Sequence, residues 1–162
     1  MNDVIVSARL PASLPHNEVQ VVEAGEGNYV RQLRMGSHFA LADEPLDVGG
    51  RDAGPNPYEY LLAALGSCTS ITLRMYADLK KLPLTRVTVQ LKHRKIHARD
   101  CAECAGQAAP NAKIDEIERH IVLEGPLSDE QRQRLLEIAN RCPVHQTLMS
   151  DIRITTALVA EF

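Results

Sequence analysis

The sequence predicts one globular domain of mixed helices and strands. Three observations carry that reading. Residues 56 to 81 read as one long helix with an uncharged middle, the chain before them alternates in strand-length runs, and the chain after them offers a strand pair and two helix starts. At 162 residues the chain can bury one proper core but not two of ordinary size, so residues 1 to 162 are taken as a single domain. Hydrophobic residues make up 44% and charged residues 24%, and no Trp with only two Phe means an aliphatic core. A formal net charge of −3 gives no global attraction to phosphate backbones or anionic membranes, which argues against nucleic acid and membranes as partners.

In chain order, Asp3 and a short Val4-Ile5-Val6 run stand where a signal peptide would place a basic and then a longer apolar region, so the expected location is the cytoplasm. Val19, Val21 and Val22, then Tyr29 to Arg34, then His38 to Leu41 predict a three-stranded meander. Residues 43 to 55 are rich in Gly and Pro and form the loop into the long helix. Asn56 suits its N-cap, Pro57 its first position and Glu59 a capping-box carboxylate. From Tyr60 to Leu73 no side chain is charged, so the helix is expected to be buried, and its apolar run is shorter than the ~18 residues of a membrane span. Ala63, Ala64, Gly66 and Ser67 make one stretch of it thin enough for close approach by another element.

Beyond Leu82-Pro83-Leu84, Val87, Val89 and Leu91 alternate with polar residues as a half-buried strand, with its later register open to a bulge. Asp100 to Ala112 reads as a hairpin loop, and Ile114 to Leu123 as the return strand. Ser128 to Gln131 is a capping box opening a second helix with a stripe of Leu135, Leu136, Ile138 and Ala139. A third, short helix runs from Pro143 to Met149, and Ile152, Ile154 and Leu158 suggest a closing strand.

Four cysteines in a reducing compartment are reactive, metal-bound or buried rather than a disulfide framework. Cys68 lies mid-helix, where a lone thiol is more often packing than chemistry. Cys142 is more suggestive, because a thiol at a helix N-terminus faces unpaired N–H groups and the positive end of the dipole, with Arg141 and His145 nearby. Filling a cap site before a proline is the alternative. Cys101 and Cys104 have the Cys-x-x-Cys spacing of zinc and dithiol sites but supply only two ligands, which His93 and His97 or a second copy would have to complete. No Ser-His-Asp set and no phosphate-cradling glycine loop is present.

Asp43-Glu44-Pro45, Gly49-Gly50, Gly54 to Glu59, Leu61 to Cys68 and Arg141-Cys142-Pro143-Val144-His145 together resemble the OsmC family, which includes the organic hydroperoxide resistance proteins. The resemblance runs from about residue 25 to the end. It implies an α+β fold of antiparallel sheets around a long buried central helix, in an intertwined homodimer with two equivalent sites at the interface. It implies thiol-dependent reduction of organic hydroperoxides in oxidative stress defence, with Cys68 peroxidatic and Cys142 resolving, an external dithiol as reductant and no cofactor. The family also ionises its thiol with a helix-start carboxylate and an arginine from the N-terminal strands, here matched by region to Glu59 and to Arg31 or Arg34. Tyr58 stands where the peroxidases carry that carboxylate, and Glu59 follows about 100° further around the helix. Two other readings stand beside this one: a stress-related or small-molecule-binding dimer with inert cysteines, and a zinc-binding module using Cys101 and Cys104.

Overall fold

A computed structural model describes residues 10–100 and 112–160. The chain divides into two compact units, Met1–Leu61 and Leu62–Phe162. In the first, β1 (Val19–Glu23), β2 (Arg31–Met35) and β3 (His38–Ala42) form the expected antiparallel meander with β2 central. Met35 pairs with His38 across the two-residue Gly36-Ser37 turn, where Gly36 takes the positive φ of 58° that such hairpin turns require. Val30, Leu33 and Ala42 are the buried apolar residues of this unit.

The loop that follows is tied to one carboxylate. Asp43 is buried, and its Oδ2 accepts from the backbone N–H groups of Arg51 at 2.8 Å and Ala53 at 3.2 Å. Burial alone would raise its pKa, but the backbone donors of Arg51, Ala53 and Glu44 and the Arg51 charge outweigh it and leave the carboxyl below its ordinary value. The loop folds back so tightly that a Cβ on Gly50 would lie 1.7 Å from the Glu44 carbonyl oxygen, and one on Gly54 2.5 Å from that of Leu41. No other residue type fits at either place.

Helix α1 (Pro57–Leu79) starts as its sequence foretells: Asn56 Oδ1 accepts from the Glu59 N–H at 3.0 Å, and Glu59 Oε2 accepts from the Asn56 N–H at 2.8 Å. It ends in a Schellman motif, with Leu82 N–H bonded to the Ala77 carbonyl at 2.8 Å and Lys81 N–H to that of Asp78 at 3.2 Å. Lys81 sits in the left-handed position at φ 54°.

In the second unit β4 (Arg86–His97) pairs antiparallel with β5 (Lys113–Glu124) in one uniform register, from Arg86 opposite Glu124 to His97 opposite Lys113, without a bulge. Helix α2 (Asp129–Ala139) opens with the Ser128–Gln131 capping box, and α3 (Pro143–Leu148) follows directly. The core packs Leu73 and Ala77 of α1 with Leu84, Leu127, and Leu135, Ile138 and Ala139 of α2, over Val87, Ile121 and Leu123 of the strand pair. The thin point of α1 is used here: a Cβ on Gly66 would come within 2.8 Å of Leu91 Cδ1 on β4.

Three expectations need correcting for the single chain. Helix α1 buries Leu65, Gly66, Thr69, Leu73 and Ala77, but Ile71, Met75 and Leu79, one turn apart on the other side, are 59, 67 and 74% exposed. The second unit covers one face of α1 and leaves the other bare. Leu136, placed in the apolar stripe of α2, is half exposed, because Leu135 and Ile138 already fill the face toward the core. Residues 151–159 form no strand, and Ile152, Ile154 and Leu158 are exposed. A strand needs an edge to pair with, and no described strand of this chain pairs with them. Among the described residues no helix is long and apolar enough to cross a membrane.

The left-handed position costs an L-residue about 1–2 kcal/mol, whereas Gly adopts it freely at some cost in chain entropy. Lys81→Gly should therefore raise stability by about 0.5 kcal/mol in urea denaturation; an unchanged or lower midpoint would contradict this account of the helix end.

Candidate functional site

Pro143 fixes the start of α3 and leaves Cys142 as its N-cap in extended conformation, φ −64° and ψ 141°. The Cys142 Sγ accepts the free N–H of His145 at 3.4 Å, and the neighbouring N–H of Val144 points to Cys68 Sγ on α1 at 3.5 Å. The first turn of α3 thus holds two sulfurs with two backbone donors. Both thiols are free, and the Cys68 thiol lies close enough to hydrogen-bond Cys142. Their exposures differ: Cys142 is fully buried and Cys68 only half-buried.

The residue after Cys68 joins the second sulfur to a charge. Thr69 is fully buried, its Oγ1 2.8 Å from the Leu65 carbonyl oxygen and 3.6 Å from Cys142 Sγ. Arg119 on β5 donates through Nη1 to Thr69 Oγ1 at 2.9 Å and to the Ala139 carbonyl at 3.2 Å, and through Nη2 to Asn140 Oδ1 at 2.6 Å. Leu91, the cross-strand partner of Arg119, is the residue that meets Gly66. One rung of the β4–β5 pair therefore supplies both contacts to this stretch of α1.

Burial pushes the Cys142 thiol up, but the Thr69 hydroxyl, the His145 N–H, the Cys68 thiol and the Arg119 charge outweigh it, and its pKa falls below the ordinary value. Arg141, expected beside the thiol as a source of charge, is exposed, and the cation acting on the sulfur is Arg119. Burial first, and then the same guanidinium, lower the pKa of His145, which favours its neutral ring.

Of the residues singled out from sequence, the fold brings Cys68 and Cys142 together. Glu59, Arg31 and Arg34 belong to the other unit, where each has local partners: Glu59 closes the helix cap, Arg31 pairs with Glu23 at 3.2 Å, and Arg34 lies over the Phe39 ring and donates to the Ser37 carbonyl. Cys101 and Cys104 lie outside the described residues, and among the described residues no cluster of three or more His, Cys, Asp or Glu could hold a metal. Along α1 around Cys68, Leu65 is buried and Leu62 half-buried, while Ile71 and Met75 are exposed. Thr69 and Arg119 were missed. The signal for Arg119 is its register, since Ile117, Arg119, Ile121 and Leu123 share one face of β5 and an arginine in that row needs polar company inside.

A family model described as OsmC-like protein matches residues 49–157. Among solved structures, the fold is similar to an organic hydroperoxide resistance protein OsmC from Legionella pneumophila, at 17% identity and TM-score 0.59 over 84% of this chain and 90% of that one. It is also similar to an OsmC-like protein from Mycoplasma pneumoniae, at 18% identity and TM-score 0.60 over 82% and 86%. An organic hydroperoxide resistance protein from Elizabethkingia anophelis, with thiocyanate bound, matches at 19% identity and TM-score 0.58 over 83% and 89%. No curated protein matches the sequence.

Because the folded pKa of His145 is depressed, its contribution to stability is present above the unfolded value of about 6.5 and is lost as pH falls through the folded value. His145→Gln, neutral at every pH, should flatten the loss of stability in that acid window, as followed by denaturation midpoints across pH. A wild-type minus variant difference that does not change with pH would refute the assignment.

Proposed function

Since the chain belongs to the OsmC-like family, we propose that it reduces organic hydroperoxides with Cys68 and Cys142, in defence against oxidative stress. The observation that carries the reading is the pair of free sulfurs held side by side by the first turn of α3, one reachable from solvent and one not. The names of the similar structures, two of which are organic hydroperoxide resistance proteins, point the same way.

In the proposed cycle the Cys68 thiolate attacks the outer oxygen of the hydroperoxide. An S–O bond forms, the O–O bond breaks, and the alkoxide leaves and takes up a proton as the alcohol. Cys142 then displaces hydroxide from the Cys68 sulfenic acid to give a disulfide, which an external dithiol reduces by exchange. Access decides which sulfur acts first, because a fully buried Cys142 is closed to an organic peroxide while half-buried Cys68 is not. Glu59 and Arg31 or Arg34 are proposed, by family resemblance alone, to assist ionisation of Cys68.

The working form in this proposal is a homodimer. Its support is the bare row of Ile71, Met75 and Leu79 on α1 and the exposed Ile152, Ile154 and Leu158, apolar groups that a second copy of the chain would cover.

Two outcomes test these proposals. Cys68→Ser should abolish hydroperoxide consumption, whereas Cys142→Ser should complete one turnover and then accumulate sulfenic or over-oxidised Cys68, read by intact-protein mass spectrometry; wild type that forms no Cys68–Cys142 disulfide after peroxide would overturn the mechanism. In sedimentation at micromolar concentration the wild type should run as a dimer and Ile71→Asp/Met75→Asp as a smaller species, and a compact wild-type monomer would overturn the assembly.

A further inference from the structure

The Thr69 hydroxyl has one hydrogen and two acceptors. Leu65 O lies 2.8 Å away and Cys142 Sγ 3.6 Å away, while Arg119 Nη1 donates into the same oxygen at 2.9 Å. When Cys142 carries its proton, the thiol donates to Thr69 Oγ1 and the hydroxyl hydrogen stays on the Leu65 carbonyl. When the proton leaves, the hydroxyl hydrogen turns to the sulfur and Arg119 continues to hold the oxygen. We propose that Thr69 and Arg119 form a relay that keeps Cys142 as the ready thiolate of the resolving step, with Thr69 as the switching donor and Arg119 as the residue that positions and polarises it.

Burial opposes ionisation of Cys142, and the few groups that face it favour ionisation. From α1 come Cys68 and Thr69, from β5 the Arg119 charge, and from α3 the backbone N–H of His145, whose neutral ring is favoured. With Cys68 protonated or oxidised to the sulfenic acid, none of the described groups that act on Cys142 is an anion that would oppose ionisation. Arg119 cannot wander from this task, since the Ala139 carbonyl and the Asn140 side chain at the end of α2 hold its other N–H groups.

The proposal rests on the two-thiol reading for its chemistry. In the step it serves, Cys142 S⁻ attacks the sulfur of Cys68–SOH. The S–S bond forms, the S–O bond breaks, and hydroxide leaves and is protonated to water. Cys142 is oxidised and the Cys68 sulfur is reduced to the disulfide level. The thiolate must exist before this attack, and a sulfur with no exposure cannot hand its proton to bulk water at that moment. The relay removes that requirement in advance.

The test needs no peroxide for its first readout. In protein carrying Cys68→Ser, Cys101→Ser and Cys104→Ser, Cys142 is the only thiol, and its ultraviolet thiolate absorbance can be titrated without a reagent entering the site. Thr69→Val and Arg119→Gln should each raise the Cys142 pKa by about one unit. Thr69→Ser and Arg119→Lys should restore most of it, which a merely structural role would not predict. In protein keeping Cys68 and Cys142, at a pH below both pKa values, Thr69→Val should slow disulfide formation about threefold: a tenfold loss of thiolate is offset in part by the greater nucleophilicity of a more basic sulfur. If Thr69→Val remains folded and the titration does not move, the relay is wrong. Wild type that consumes no hydroperoxide while the titration moves as expected overturns the proposed function and sustains the relay; hydroperoxide consumption with an unmoved titration overturns the relay alone.

Discussion

The contact on which the second unit depends is the placement of Arg119 between Ile117 and Ile121 on one face of β5. Arg119 is partly buried, and the N–H groups it turns away from water need acceptors. Three acceptors meet it: the Thr69 hydroxyl on α1, the Ala139 carbonyl at the end of α2, and the Asn140 side chain that follows. Thr69 belongs to α1, and Ala139 and Asn140 to the end of α2, so one cation ties the strand pair to both helices. The same charge lowers the pKa of Cys142 and of His145. A structural tie and a share in lowering both pKa values are two consequences of one placement.

Much of this architecture was legible in local sequence. Period-two runs marked the meander and the strand pair, and Asn56 with Glu59 and Ser128 with Gln131 marked two helix starts to the residue. These signals work because a cap or a pleat is satisfied within a few residues. The C-terminal run of Ile152, Ile154 and Leu158 has strand-like alternation but no strand, because alternation records a preference while pairing requires an edge elsewhere. The uncharged girth of α1 likewise told of two covered faces, and the single chain provides one.

At the site, Cys68 and Cys142 could be picked out because thiols are chemically conspicuous and the proline after Cys142 marks a helix start. Thr69 and Arg119 could not be picked out by type, since Thr on a helix and Arg on a strand are ordinary. What identifies them is a fifty-residue contact, Nη1 to Oγ1, that no local pattern encodes. Only the inward register of Arg119 announces that something polar must meet it. Arg141 was the tempting choice because it adjoins Cys142 in sequence, yet adjacency along an N-cap leaves a long side chain free to point to solvent, as it does here.

In the proposed reaction the two sulfurs divide the requirements of the chemistry between access and ionisation. Cys68 and Thr69 are consecutive, and one residue of α-helix is a rotation of about 100°. Cys68 therefore faces the Val144 N–H and a half-open surface, while Thr69 faces Arg119 and Cys142 in the interior. A single sulfur would meet these demands in conflict, because exposure admits substrate and water together, while the burial that strengthens an arginine's field also excludes the substrate. Placing the accessible thiol and the threonine of the charged relay one residue apart on α1 satisfies both without moving either element. The short α3 completes the arrangement, since its first free N–H groups lie one residue apart as well, one on each sulfur. The pairing of consecutive helix positions with consecutive free amides brings the two thiols to one turn of α3, so the disulfide of the proposed cycle would join groups already held by that turn.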